Sequence, residues 1–165
     1  MINPTELDLQ EEVVVKIKRV SKVTSRGKRL RFSALVVIGD GKGYVGMGMG
    51  KANEVVSAIT KSKENAKQNL FKAPLINGTI PHKIIGKHCA SKVMLKPASP
   101  GTGIIAGAAV RAVMEQMGVE NILTKITGSN NLLNVVRATI NALKNLEDVV
   151  SVAAKRGITI KEVYN

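Results

Sequence analysis

The sequence predicts an α+β fold made of two small α/β units, and three observations predict it. Early in the chain, β-branched runs are separated by glycine-bearing turns and followed by one amphipathic stretch. Pro74 and an Asn77-Gly78 turn then punctuate the chain. Beyond them, strand-like and helix-like segments alternate in a βαβα order. The expected units are residues 10–73, three strands and then a helix, and residues 76–157.

The first strand is expected over residues 12–24, EVVVKIKRVSKVT, which is β-branched with basic interruptions. Ser25-Arg26-Gly27-Lys28 is a basic turn. In the second strand, residues 29–38, Arg29, Arg31 and Ser33 alternate with Leu30, Phe32 and Ala34, as on a half-exposed face. GDGKG at 39–43 is a turn whose glycines can take positive φ. YVGMGMG at 44–50 reads as a third strand, thinned by glycine where another backbone or RNA could come close. A helix over 52–72 would bury Ala52, Val55, Val56, Ile59, Ala66 and Leu70, leaving Lys61, Lys63 and Lys67 off that stripe.

In the second unit, short strands are expected at 79–86 and 91–96. PASPGTG (97–103) opens a helix over 104–117 that Gly118 terminates. A strand at 121–127 precedes GSNN, whose polar residues cap a helix over 132–146 with Leu132, Leu133, Val136, Ile140 and Leu143 on one face. A short helix over 147–156 ends at Gly157. There is no internal repeat and no low-complexity segment.

Composition narrows the function. An apolar fraction of 44% provides a core, and 25 bases against 12 acids give a net charge of +13. A surplus of that size on 165 residues points to a polyanion. Residues 1–12 hold four acids (Glu6, Asp8, Glu11, Glu12) and no base, whereas residues 13–146 hold 22 bases and five acids. The positive charge therefore belongs to the folded body. One cysteine, Cys89, excludes an intrachain disulfide and fits a reducing, cytoplasmic setting. The acidic start is unlike a signal peptide, and apolar runs fall well short of the roughly 20 residues of a membrane helix. With no Trp, two Tyr and two Phe, the chain lacks a base-stacking platform, so phosphate and shape recognition are expected.

The sharpest local feature is residues 16–31, where eight of 16 residues are basic and none is acidic: Lys16, Lys18, Arg19, Lys22, Arg26, Lys28, Arg29 and Arg31. On two strands and their turn they form a projecting basic hairpin. A solvated charged face normally mixes signs; this one does not.

Other signals carry less. Gly41-Lys42-Gly43-Tyr44-Val45-Gly46 matches G-x-G-x-x-G, but strand-like residues follow it where a dinucleotide site needs a helix N-terminus. His82, His88 and Cys89 provide too few ligands for a structural zinc site, and on a strand His88 and Cys89 would point to opposite faces. PASPGTGIIAG resembles a phosphate-holding turn before a helix, with Thr102 at its N-terminus; RNA phosphate, a protein contact and plain capping remain open for it. Asp40 and Glu54 are isolated acids, and no carboxylate pair or nucleophile pattern suggests catalysis. No enzyme activity, cofactor, metal or small-molecule substrate is expected.

Several runs together resemble a family. Arg19-Val20-Ser21-Lys22, Phe32, Val37 through Gly43, Gly46 and Gly50-Lys51-Ala52 look like the first half of the bacterial-type small-subunit ribosomal protein S5 family. Lys96 through Ser99, Gly101 through Gly107, Arg111-Ala112-Val113, Gly128 through Asn131, Asn134 through Thr139 and Ala153 through Gly157 look like its second half. The resemblance covers about residues 10–157 in order. It implies an N-terminal double-stranded-RNA-binding-like domain and a C-terminal domain whose fold some small-molecule kinases share. It further implies a structural role in the small ribosomal subunit, in the cytoplasm. The hairpin would contact 16S ribosomal RNA near the neck and head, close to the spectinomycin site, through Arg19, Ser21, Lys22, Gly27 and Lys28. Lys51, in a matching run, joins Lys16, Arg26, Arg29 and Arg31 in the expected RNA-binding set. Arg19 also matches a position near the channel through which messenger RNA enters. Gly103 and Arg111, with neighbouring Gly101, match the interface with the fourth small-subunit protein. The eighth small-subunit protein is another implied neighbour, and the family supports translational accuracy.

The chain departs from the family's usual Lys-Gly-Gly-Arg hairpin tip: here Ser25-Arg26-Gly27-Lys28 loses one glycine and permutes the charges. Ala108 also replaces a usual glycine. Two rival readings predict different behaviour. A free-standing double-stranded-RNA-binding module would bind generic duplexes, and a small-molecule kinase would bind ATP, against which the missing Walker loop argues.

Overall fold

The computed structural model describes residues 8–163; Glu6 and the rest of the acidic start before residue 8 lie outside the described residues. The first sheet contains β1 (Val13–Thr24), β2 (Gly27–Gly39), β3 (Tyr44–Ala52) and β4 (Phe71–Lys72), antiparallel and in that order. Helix α1 (Val55–Gln68) packs on one face.

The helix is shorter than the pattern predicted and turns a different side inward. Ala52 ends β3, and Val56 is 74% exposed, while Ala58, Ser62 and Ala66 are buried. The reason lies in β3. A Cβ on Gly46, Gly48 or Gly50 would stand 2.4, 2.0 or 2.5 Å from the carbonyl oxygens of Ala66, Ser62 and Ala58 respectively. The helix backbone thus lies directly on the strand, and only its smallest side chains fit the seam. Of the two partners proposed for these glycines, the structure gives the protein backbone.

The second sheet contains β5 (Ile84–His88), β6 (Ser91–Pro97), β7 (Ile104–Ile105) and β8 (Ile122–Gly128), in the order β5-β6-β8-β7, with β7 parallel to β8. Helices α2 (Ala108–Met117) and α3 (Leu132–Lys144) cover one face, and α4 (Val149–Arg156) and α5 (Ile160–Val163) follow. The strand expected at 79–86 begins only at Ile84, because Ile76 to Thr79 forms its own tight bridge and Pro81 and His82 bend away. Residues 104–105 belong to β7, so α2 starts at Ala108 with Gly107 as N-cap, not at 104. Thr102 is therefore not at a helix N-terminus; its hydroxyl donates to Ser99 O at 2.8 Å, and the capping reading falls. Gly118 (φ 81°) and Gly157 (φ 64°) end their helices in the left-handed region, as expected. Asn131 caps α3, accepting from Leu133 N at 3.3 Å.

One apolar cluster joins the two sheets: Leu35, Val37 and Val45 of the first pack with Val93, Leu95, Val113, Met117 and Leu143 of the second. The G-x-G-x-x-G run clamps this junction. Asp40 holds the turn, its carboxylate accepting from Lys42 N (2.7 Å) and Tyr44 N (2.9 Å). Gly41 N then donates to Gln116 O at 3.1 Å and Gly43 N to Met117 O at 3.0 Å, satisfying carbonyls that the end of α2 leaves unpaired. Gln116 Oε1 accepts from Gly39 N at 2.9 Å. A hairpin turn, not a phosphate cradle, occupies this motif.

Candidate nucleic-acid interface

β1 and β2 pair from Val13↔Val37 to Thr24↔Gly27, with a bulge between Val14 and Lys16. The third strand stops at Ala52, opposite Phe32. Beyond that point the two strands continue alone, so residues 20–31 form a two-stranded arm. Its turn is Ser25-Arg26, closed by Thr24 Oγ1 donating to Gly27 O at 2.8 Å. Gly27 takes φ 117°, where a side chain would be strained, although a Cβ there would meet nothing.

Register sorts the bases onto two faces. Lys18, Lys22, Arg29 and Arg31 lie on the face away from α1, with Lys51 of β3 beside Ser33 and Lys16 at the root. Arg19, Ser21 and Lys28 lie on the other face, and Arg26 sits at the tip. The RNA-binding set predicted from sequence therefore spans the arm, its root in the sheet and Lys51 of the neighbouring strand, on two differently oriented faces. All of its bases are exposed. Lys22 stands directly opposite Arg29, a like-charge pair that costs stability in an isolated protein. Neither has an ion-pair partner among the described residues.

Sequence reasoning missed part of the surroundings. A cleft of about 220 Å³ runs between the root of this face and α3, lined by Lys16, Lys18, Lys51, Leu132 and Leu133. Lys18 was legible as a hairpin base; the α3 wall depends on how the two sheets pack and leaves no local signal. On the α1 side, Lys63 binds Glu12 at 2.6 Å, and this hydrogen bond holds the Glu12 carboxyl below its ordinary range.

Gly101, Gly103 and Arg111 assemble elsewhere. Gly101 (φ 89°) and Gly103 (φ 73°) lie in the loop before β7, with open space where a Cβ would be. Gly103 N donates to Asn121 Oδ1 at 3.0 Å. Arg111, exposed on α2, donates to Ile104 O at 3.0 Å and ties the helix to the same loop. The three residues thus form one corner, with Gly101 and Arg111 exposed and Gly103 half-buried, separate from the arm.

No group of three or more His, Cys, Asp or Glu residues able to hold a metal converges among the described residues. Cys89 is not on a strand face as the sequence suggested: with φ 50° it sits in the two-residue turn between β5 and β6. His82 instead accepts from Glu147 N at 3.2 Å. No helix among the described residues is long and apolar enough to cross a membrane.

Comparison with known proteins adds a family. The profile described as "Ribosomal protein S5, N-terminal domain" matches residues 9–74, and "Ribosomal protein S5, C-terminal domain" matches residues 86–156. The small ribosomal subunit protein uS5 of Chloroflexus aurantiacus is 52% identical over 162 residues, covering 98% of this chain and 90% of that protein. The uS5 protein of Thermotoga neapolitana is 55% identical over 93% of this chain and 86% of its own length. That of Salinibacter ruber is 53% identical over 92% and 87%.

Proposed function

Because the chain belongs to the ribosomal protein S5 family, we propose that it is a structural, non-enzymatic component of the small ribosomal subunit in the cytoplasm, holding 16S ribosomal RNA with its basic arm. The observation that carries this reading is the arm and its root: eight bases and no acid over residues 16–31, of which Lys22, Arg26, Lys28, Arg29 and Arg31 project past the third strand. Lys16, Arg19, Ser21, Lys22, Arg26, Gly27, Lys28, Arg29, Arg31 and Lys51 form the RNA-facing set. Bases on both faces and at the tip suit insertion between converging phosphates rather than docking on one flat surface. Arg19, on the α1-side face, is the residue assigned to the channel through which messenger RNA enters.

The two halves, residues 10–73 and 76–157, divide the work. Gly101, Gly103 and Arg111 form the corner that meets the fourth small-subunit protein and through which accuracy is influenced; the eighth small-subunit protein is a further neighbour. Arg111→Leu frees Ile104 O and removes the exposed charge. Misreading in a reporter strain is expected to rise, and wild-type accuracy would count against this assignment.

The direct test is sedimentation of a tagged copy from lysate through a high-salt sucrose gradient. Co-migration with the small subunit supports the ribosomal role. A position at the top of the gradient, at salt that leaves other ribosomal proteins bound, sinks it in favour of an RNA binder that acts off the ribosome.

A further inference from the structure

The second sheet has one bare face. Its helices lie on the side to which Gly86, Val93, Leu95 and Ile122 turn, all of them buried. The strand pairing fixes what turns the other way. Ile85, Met94 and Lys125 stand side by side across β5, β6 and β8, and Lys87, Lys92 and Thr127 form the next row. Lys96 lies two residues beyond Met94 on the same face of β6. The four lysines are exposed, Ile85 is 54% exposed, and neither row contains an acid.

Lys87 faces Lys92 directly across the strands. Like charges in that position destabilise a sheet, and an approaching polyanion removes the penalty. The arm carries the same signature at Lys22 and Arg29. We propose that the bare face of the second sheet is a second RNA-docking surface, taking the sugar–phosphate backbone of an RNA segment other than the one held by the arm. The proposal rests on the ribosomal reading above and extends it to the half so far assigned only protein neighbours. RNA is favoured over a protein because lysine is depleted in the cores of protein interfaces, where aromatic residues and arginine concentrate. This face has lysines and neither of those. Ile85 and Met94 give the sugar edges an apolar floor between Lys96 on one side and the Lys87–Lys92 pair on the other.

The test uses the full chain and full-length 16S ribosomal RNA, with binding measured across a salt series. Lys87→Ala, Lys92→Ala and Lys125→Ala together are expected to flatten the salt slope by about two units and to weaken binding roughly tenfold near physiological salt. The loss adds to that of an Arg26→Glu, Arg29→Glu arm variant. A single Lys92→Glu change separates docking from folding. It makes an opposite-charge pair with Lys87, so it is expected to raise the melting temperature of the free protein while weakening RNA binding. If the triple variant keeps the wild-type slope while the arm variant loses its own, the second surface is overturned and the arm reading stands. If neither variant changes the slope, both fall. Wild-type RNA binding by the triple variant together with lost incorporation into the small subunit assigns the face to a protein and also overturns the proposal.

Discussion

The turn at Ser25-Arg26 and the turn at Gly39–Gly43 both combine glycine with a base, yet the first projects into solvent and the second is clamped against α2. Gly27 has open space where a Cβ would be; a Cβ on Gly39 would lie 1.9 Å from Gln116 O. The difference is what the flanking strands meet. Past Phe32 the arm has no third strand, so its charged side chains stay solvated. Around Gly39 both faces of β2 are covered, and the turn's N–H groups find the last carbonyls of α2. A glycine–lysine turn is thus a recognition tip or a structural latch according to its surroundings, not its composition.

The latch is the more sensitive of the two turns. Gly39→Ala forces a methyl group into the Gln116 carbonyl and is expected to destabilise the protein by about 3 kcal/mol in denaturant unfolding; a loss below about 1 kcal/mol would mean that the junction yields easily. At the tip, reversing Arg26 and Arg29 to glutamate is expected to stabilise the free protein slightly, because position 29 then pairs with Lys22 across the strands, but to weaken 16S RNA binding roughly 10- to 100-fold and flatten its salt dependence. An unchanged slope would remove the arm from the interface. Gly27→Ala sharpens the contrast with Gly39: with a positive φ and no crowding it should cost only about 1 kcal/mol. Equal losses at the two glycines would erase the distinction between tip and latch.

The smallest effect is electrostatic. The Lys63 hydrogen bond lowers the Glu12 pKa in the folded state, so its stabilisation is full above the ordinary glutamate range and is lost as pH falls through the lowered value. Solvent screens this partly exposed pair, which limits it to about 0.5 kcal/mol. The stability gap between wild type and Glu12→Gln should therefore be greatest near neutral pH and close in acid. A gap that persists well below the carboxylate range would point to packing instead.

Much of this was legible in the sequence because it is local. The β-branched run VVVKIKRVSKVT, the alternation in RLRFSALVVI, the glycine turns and the GSNN cap each act within a few residues, and they delivered the first three strands, β6, β8 and α3 close to their observed bounds. What escaped depends on partners distant in sequence. Ile104-Ile105 looks like the opening of an apolar helix and becomes β7 only because β8 lies beside it. The inward face of α1 could not be read from hydrophobicity, since the glycines of β3 select small residues over Val56. In the site, the charge of the arm was plain, but its division into two edges required the register. Nor did any local pattern announce the α3 wall of the cleft or the bare face of the second sheet.

The shared core also bears on the order in which the chain is made. Synthesis delivers β1, β2, β3 and α1 first, but the cluster that buries Leu35, Val37 and Val45 lacks Val113 and Met117 until α2 emerges. The latch cannot close before residue 118. While some fifty residues beyond α1 are still being added, the nascent first half carries a partly uncovered apolar face beside a concentrated positive charge. A chain stalled in that interval is the form most prone to stick to other nascent proteins or to stray RNA, and completion of α2 ends the hazard.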